Sequence, residues 1–254
     1  MARRPRLPAG HDTLDQILFA EGFGERRVCE GLVLQGLVKV DGEVVDDPDA
    51  AFARDQLRLE VQGQPWHCHT RALIMLHKPA GYECSLKPGA WPGVHNLLPV
   101  PLRRRGLQPV GRLDQDTTGL LLLTDDGALL HQLTSPKKNV PKVYEVGCKH
   151  PITDKQCQKL LGGVVLDDDP EPVAAHAATR VLPEGAADDA DTLQLQLTLL
   201  QGKYHQVKRM LAAAGNHCVA LHRSQIGGLT LEALGLKEGE WCYLEQAQLD
   251  LLVP

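Results

Sequence analysis

Long apolar runs are missing from this chain. Its purely apolar stretches last only a few residues, against the roughly 20 that a membrane-crossing helix requires, so no membrane partner is expected. The amino terminus, Met1-Ala2-Arg3-Arg4-Pro5-Arg6, is positive but has no apolar segment behind it of the kind a secretory signal needs, which points to the cytoplasm. No C-x-x-C pair occurs among Cys29, Cys68, Cys84, Cys148, Cys157, Cys218 and Cys242, and an odd count without pairing motifs speaks against a disulfide framework. Metal-type donors gather at His67, Cys68 and His69, with His77 and Cys84 nearby, but at no established zinc spacing, so no metal is expected. The glycine-rich stretches lack the Lys-Ser/Thr pair of a phosphate-binding loop. Asp116-Thr117-Thr118-Gly119 is one residue too long for an aspartic-protease turn and has no second copy. Asp125-Asp126-Gly127 lacks the alternating oxygens of a calcium loop, and neither Ser224 nor Cys218 sits in a nucleophile elbow.

What is present fits a soluble globular protein: 43% hydrophobic, 23% charged and 4% aromatic residues. At about 150 residues per domain, 254 residues make two domains or one large one. A formal net charge of −5 argues against holding nucleic acid by bulk positive charge. The distribution is uneven, however: +3 over residues 1–11, −7 over 12–62, +5 over 70–150 and −6 over 151–254. The central cations include Arg103, Arg104, Arg105, Lys137, Lys138 and Lys142. Charge alone leaves both a solvated surface and a nucleic-acid face open.

Thr13-Leu14-Asp15-Gln16 is a capping-box pattern that starts a first helix, closed at Gly22. A second helix over about 25–34 stops before Gly36, and Asp41-Gly42 is a two-residue hairpin signal between alternating strands. Residues 12–62 are therefore expected as a helix–helix–hairpin domain, followed by a linker at Gly63-Gln64-Pro65. From residue 71 to 254 the pattern is mainly strand, clearest at Leu73–Leu76, Gly119–Leu123, Lys142–Val146 and Leu193–Leu200. One helix is capped near Asp126 and ends at Ser135-Pro136, and another is expected over Tyr204–Ala214. On that helix Tyr204 and Lys208 would share one flank, and His205 and Arg209 another. Irregular alternation of strands and helices favours an α+β class with a mixed sheet.

Asp114 and Asp116 stand in a polar turn directly before a strongly apolar strand, a rigid support for a reactive group. A carboxylate-pair glycosidase is a weak reading, because residues two apart in extended chain point to opposite sides. The run Gly111-Arg112-Leu113-Asp114, continued by Asp116-Thr117-Thr118-Gly119 and Thr124-Asp125-Asp126-Gly127, resembles the catalytic motif of the pseudouridine synthases, in the RsuA branch. Lys142-Val143-Tyr144 resembles the family's tyrosine motif, and Gly202 to Leu211 its third motif. Residues 215–229 and the strand at Leu76–Tyr82 continue the match, and 12–62 is similar to the RNA-binding S4 domain. Tyr204-His205 with Lys208, and Gly215-Asn216-His217, are closer to the small-subunit (16S) type than to the large-subunit type.

The resemblance implies isomerisation of uridine to pseudouridine in 16S ribosomal RNA without cofactor or metal. Asp114 would be the essential carboxylate, Lys208 its charge partner, and Tyr144 the ring stacked on the flipped uracil. Arg112, Arg26, Arg27, Arg103, Arg104, Arg105, Lys142, His205, Gln206, Arg209 and Arg223 would contact RNA. The first domain departs from its family, with Glu25 in place of a capping Ser and Leu34 and Leu37 at positions often basic. The expected partner is ribosomal RNA, met as an assembling small-subunit ribonucleoprotein by a monomeric enzyme. The competing readings are the same reaction on 23S RNA and a non-catalytic ribosome-assembly protein.

Overall fold

A computed structural model describes residues 7–167 and 169–252, so Arg3, Arg4 and Arg6 of the basic terminus lie outside the described residues. The chain divides into two compact units. The first runs to Ala72 and takes in Leu98–Leu107; the second holds Leu73–Leu97 and everything from Gln108 onward.

The first unit comprises β1 (His11–Thr13), α1 (Leu14–Glu21), α2 (Arg26–Leu34), β2 (Val38–Val40), β3 (Glu43–Val44), β4 (Ala51–Ala53), β5 (Arg58–Val61), β6 (Gln64–His67) and α3 (Val100–Arg104). The Gln16 side chain accepts from the Thr13 amide at 3.3 Å, closing the predicted cap. Gly22 is required where α1 ends, because its φ is +92° and a Cβ there would lie 2.1 Å from the Pro101 carbonyl oxygen. Asp41 (φ 50°) and Gly42 (φ 89°) form the tight turn between β2 and β3. The expected linker is instead a second hairpin: Gln62 and Gly63 both have positive φ, and β6 pairs with β5 through Val61–Gln64 and Glu60–Pro65. Turn residues mark hairpins as readily as linkers, and the short strand after Pro65 carries no alternation to separate the two. The core gathers Leu14, Ile17, Leu18, Val33, Val38 and Val61.

A fully buried carboxylate organises this unit. Glu21 accepts from Arg54 Nη2 at 3.1 Å, Arg105 Nη1 at 2.8 Å, Trp66 Nε1 at 3.1 Å and the His69 amide at 3.2 Å. Arg105 also donates to the His69 carbonyl, and its side chain is 2% exposed. It is thus a buried structural cation, and the expectation of a phosphate contact at Arg105 is corrected. Arg103 and Arg104, like Arg26 and Arg27, are exposed.

The second unit contains β7 (Leu73–Lys78), β8 (Gln108–Val110), β9 (Thr118–Thr124), α4 (Gly127–Thr134), β10 (Lys142–Cys148), α5 (Asp154–Gly162), β11 (Val164–Leu166), β12 (Asp169–Val173), β13 (Ala177–Arg180), β14 (Gln194–Leu199), α6 (Gln206–Ala213), β15 (Cys218–Ile226), β16 (Leu229–Thr230), β17 (Trp241–Tyr243) and α7 (Gln246–Leu252). Its main sheet runs β13-β14-β10-β15-β9-β7-β17, with β16 beside β15 and β8 beside β9. The sheet is mixed: β15 and β9 are parallel, and the other pairs antiparallel. Leu120 to Leu123 are all fully buried, as a strand covered on both faces must be, which explains an apolar run without alternation. Asp126 caps α4 by accepting from the Ala128 and Leu129 amides. No helix of the described residues is long and apolar enough to cross a membrane.

Candidate active site

The site is built on the turn between β8 and β9. Residues 114–117 are not extended: the Thr117 amide donates to the Asp114 carbonyl at 3.1 Å, and the turn brings both carboxylates to one side. Lys208 on α6 donates to Asp114 Oδ2 at 3.0 Å and to Asp116 Oδ1 at 2.7 Å. The expectation that Asp114 and Asp116 diverge is therefore corrected, since it assumed extended chain. Partial burial pushes the Asp116 carboxyl up, but the hydrogen bond and charge of Lys208 prevail and hold it below its ordinary value. Burial works against the Lys208 ammonium in the same way, and its hydrogen bonds to Asp116 and Asp114 raise it above its usual range.

The floor beneath this turn is cationic. Lys78, at the end of β7, is fully buried, and its ammonium donates to the carbonyls of Pro79 at 3.1 Å, Gln115 at 3.2 Å and Thr117 at 2.7 Å. Three donors meet three acceptors, so this lysine fixes the backbone on which Asp114 and Asp116 stand. Burial lowers its proton affinity from the ordinary lysine value. Arg223 on β15 is 1% exposed. Its Nε donates to the Leu120 carbonyl at 2.8 Å, while Nη2 is buried without a hydrogen-bond partner among the described residues. Gly119, directly opposite on β9, must lack a side chain because a Cβ would lie 2.3 Å from the Arg223 carbonyl oxygen. Lys142 donates to the Val140 carbonyl, and burial together with the nearby Arg223 brings it down to about 8.

Several expected RNA contacts are placed differently. Arg223 is buried with its Nε on the Leu120 carbonyl, a structural cation and not a surface phosphate contact. Gln206 is 5% exposed, accepts from the Lys203 amide at 2.8 Å and donates to Met210 Sδ, so it is a structural residue. Helix α6 starts at Gln206, two residues later than the periodicity predicts, because His205 adopts the left-handed conformation (φ 47°, ψ 33°). Tyr204 and His205 therefore do not share flanks with Lys208 and Arg209. His205 is turned onto the carboxylate instead, with Nε2 3.2 Å from Asp114 Oδ1. Arg112 is exposed beside the turn, and Arg209 donates to the Tyr204 carbonyl at 3.0 Å. Tyr144 is 8% exposed on β10, opposite Arg223, and forms no hydrogen bond with Asp114 among the described residues.

The sequence reading missed the roles of Lys78 and of Asp116. A lysine two residues beyond Leu76 on an apolar strand was a usable signal for the first, since it shares the buried face. Nothing local marks His205 as left-handed. No group of three or more His, Cys, Asp or Glu side chains among the described residues forms a metal site.

Residues 72–213 match the RNA pseudouridylate synthase family, and residues 13–50 match the S4 domain. The ribosomal small subunit pseudouridine synthase A of Escherichia coli (strain K12) is 36% identical over 247 residues, covering 94% of this chain and 99% of the relative. The enzyme of that name from Haemophilus influenzae is 36% identical over 242 residues, with the same two coverages. An uncharacterized RNA pseudouridine synthase of Bacillus subtilis, YtzG, is 35% identical over 239 residues, covering 94% of this chain and 97% of the relative. A crystal structure of a pseudouridylate synthase superposes with a TM-score of 0.64 at 32% identity, covering 95% of this chain and 99% of that one. A mixed-sheet unit carrying the Asp114 turn, preceded by an S4 domain and matched over nearly its whole length, belongs to the RNA pseudouridylate synthase family, isomerases that act on RNA.

Proposed function

We propose that this chain converts one uridine of small-subunit (16S) ribosomal RNA to pseudouridine, with Asp114 as the essential carboxylate. The observation that carries the reading is the Lys208 bridge to Asp114, 3.0 Å long, within the stretch that matches the family. Its support for the small subunit is the name borne by relatives that cover almost the full chain. In the reaction the bond between N1 and C1′ breaks, the uracil turns, and a bond from C5 to C1′ forms. The proton on C5 is lost and N1 gains one, so the product is an isomer and no cofactor is consumed. The uridine must first leave its stack, at a cost of about a few kcal/mol. Asp114 faces the reacting ribose and uracil, Lys208 stays beside it as counter-charge, and the Tyr144 ring supports the flipped base.

Arg112, Arg209 and Lys142 of the second unit, and Arg26, Arg27, Arg103 and Arg104 of the first, are the proposed phosphate contacts. Counterion release scales with the phosphates neutralised, and residues 12–62 carry a net charge of −7. The proposed reaction runs in the cytoplasm, on the assembling small subunit, and is carried out by a monomer.

The test is tritium release from 5-tritiated small-subunit and large-subunit rRNA transcripts, with and without ribosomal proteins. About one tritium per small-subunit RNA is expected from the wild type and none from Asp114→Asn. Release from the large-subunit RNA alone would overturn the substrate, and turnover by a folded Asp114→Asn would overturn the carboxylate.

A further inference from the structure

Beside Asp114 stands an aromatic ring to which the reading above gives no task. Tyr204 is 73% exposed, more than any other large apolar side chain of the described residues. One of its faces lies on the His205 imidazole, with centroids 3.8 Å apart and planes 21° from parallel. The other face is open. Isolated exposed aromatic rings are ordinary, but the main chain and the stacking partner of this one are both held. His205 takes a left-handed conformation that side chains rarely adopt, and its ring is held to Asp114 at 3.2 Å. Arg209 grips the Tyr204 carbonyl at 3.0 Å, and Gln206 holds the Lys203 amide at 2.8 Å. A flat ring is thus presented on the far side of the imidazole that meets the carboxylate.

Flipping a uridine strips its neighbour of a stacking partner, and unpaired bases find a replacement on aromatic faces. We propose that the Tyr204–His205 stack is a base platform, with the open face of Tyr204 taking an unpaired nucleobase of the RNA adjoining the flipped uridine. The proposal rests on Asp114 as the reacting carboxylate, and it makes Tyr204 a substrate-binding residue whose contribution is its ring and not its hydroxyl.

The test titrates wild type, Tyr204→Phe, Tyr204→Leu and Tyr204→Ala with a short single-stranded RNA that carries one uridine flanked by 2-aminopurine. Tyr204→Phe should bind within about twofold of wild type and quench the probe, as expected when only a surface hydroxyl is lost. Tyr204→Ala and Tyr204→Leu should bind roughly ten- to hundredfold more weakly and leave the probe unquenched. In tritium release their KM should rise by more than the single-turnover rate at saturating RNA falls. Wild-type affinity in a folded Tyr204→Ala or Tyr204→Leu, or a Tyr204→Phe as weak as Tyr204→Ala, would overturn the platform. Absence of tritium release by the wild type would overturn the Asp114 reading, while the oligonucleotide titration would still decide the ring.

Discussion

Gly119→Ala tests whether the close approach of β9 and β15 holds the site together. The residue has a φ of +105°, and an added Cβ would meet the Arg223 carbonyl oxygen at 2.3 Å, its amide nitrogen at 2.7 Å and its carbonyl carbon at 2.9 Å. All three are main-chain atoms of the paired strand, so no side chain can swing aside, and the strands must separate or the backbone at 119 must turn. Overpacking of this kind costs about 1–3 kcal/mol and a forced positive φ another 1–3, which together make about 2–6 kcal/mol. The damage also reaches the chemistry, because Arg223 anchors to Leu120 on the same strand and Thr118 Oγ1 contacts His222 Nδ1 at 2.9 Å across it. Urea unfolding followed by far-UV circular dichroism reads the loss. Gly127→Ala is the control: it sits in the first turn of α4, and among the described residues no atom beyond its chain neighbours and its own helix backbone lies within 4 Å of the new carbon. That variant should be neutral or up to about 1 kcal/mol more stable. A Gly119→Ala protein within about 0.5 kcal/mol of wild type, an ordinary surface effect, would refute the argument.

Three other perturbations separate the roles of the charged groups. Glu21→Ala leaves Arg54 and Arg105 without their carboxylate in the first unit and should cost about 3–5 kcal/mol, whereas breaking the exposed Lys39–Glu60 pair should cost at most about 1 in the same urea unfolding experiment. Lys142, lowered to about 8 by burial and Arg223, binds its proton less tightly folded than unfolded, so stability should rise as pH climbs from about 8 toward 10.5. Lys142→Met should flatten that rise in urea titrations across the window; a wild-type slope in the variant would exclude Lys142 as its source. Asp116→Asn should slow tritium release about fivefold at most, because its side chain is 56% exposed and Lys208 keeps Asp114, and a loss equal to that of Asp114→Asn would make the carboxylates an inseparable pair.

Local rules carried most of the secondary structure. The Thr13 cap, the Asp41-Gly42 turn, the Asp126 cap and the period-2 pattern of β14 each depend on neighbours a few residues away, and each is legible before any fold is known. The linker failed for the same reason that the hairpin succeeded: Gln62-Gly63 is a turn in either reading, and only pairing with β5 decides between them. The helix start failed at His205 because nothing in Tyr204-His205-Gln206 announces a left-handed residue.

Long-range electrostatics decided the rest, and composition is blind to it. Arg103, Arg104 and Arg105 read as one basic patch, yet Arg105 finds Glu21, 84 residues away, and is consumed in a buried network, while its neighbours stay exposed. Arg223 reads as a surface cation and lies inside. In the second unit, Lys78, Arg223 and Lys142 direct hydrogen bonds to main-chain carbonyls, while the Asp114–Asp116 pair takes its ammonium from Lys208. The charges of Lys78 and of both carboxylates nevertheless attract one another without a direct bond. Burial strengthens their field, since charges away from water are screened least. A chain with a net charge of −5 can therefore place a buried cation, Lys78, directly under the turn that carries Asp114 and Asp116. Net charge misleads here because sign is averaged over the whole chain, whereas the groups that meet Asp114 are few and close, Lys208 at 3.0 Å and His205 at 3.2 Å.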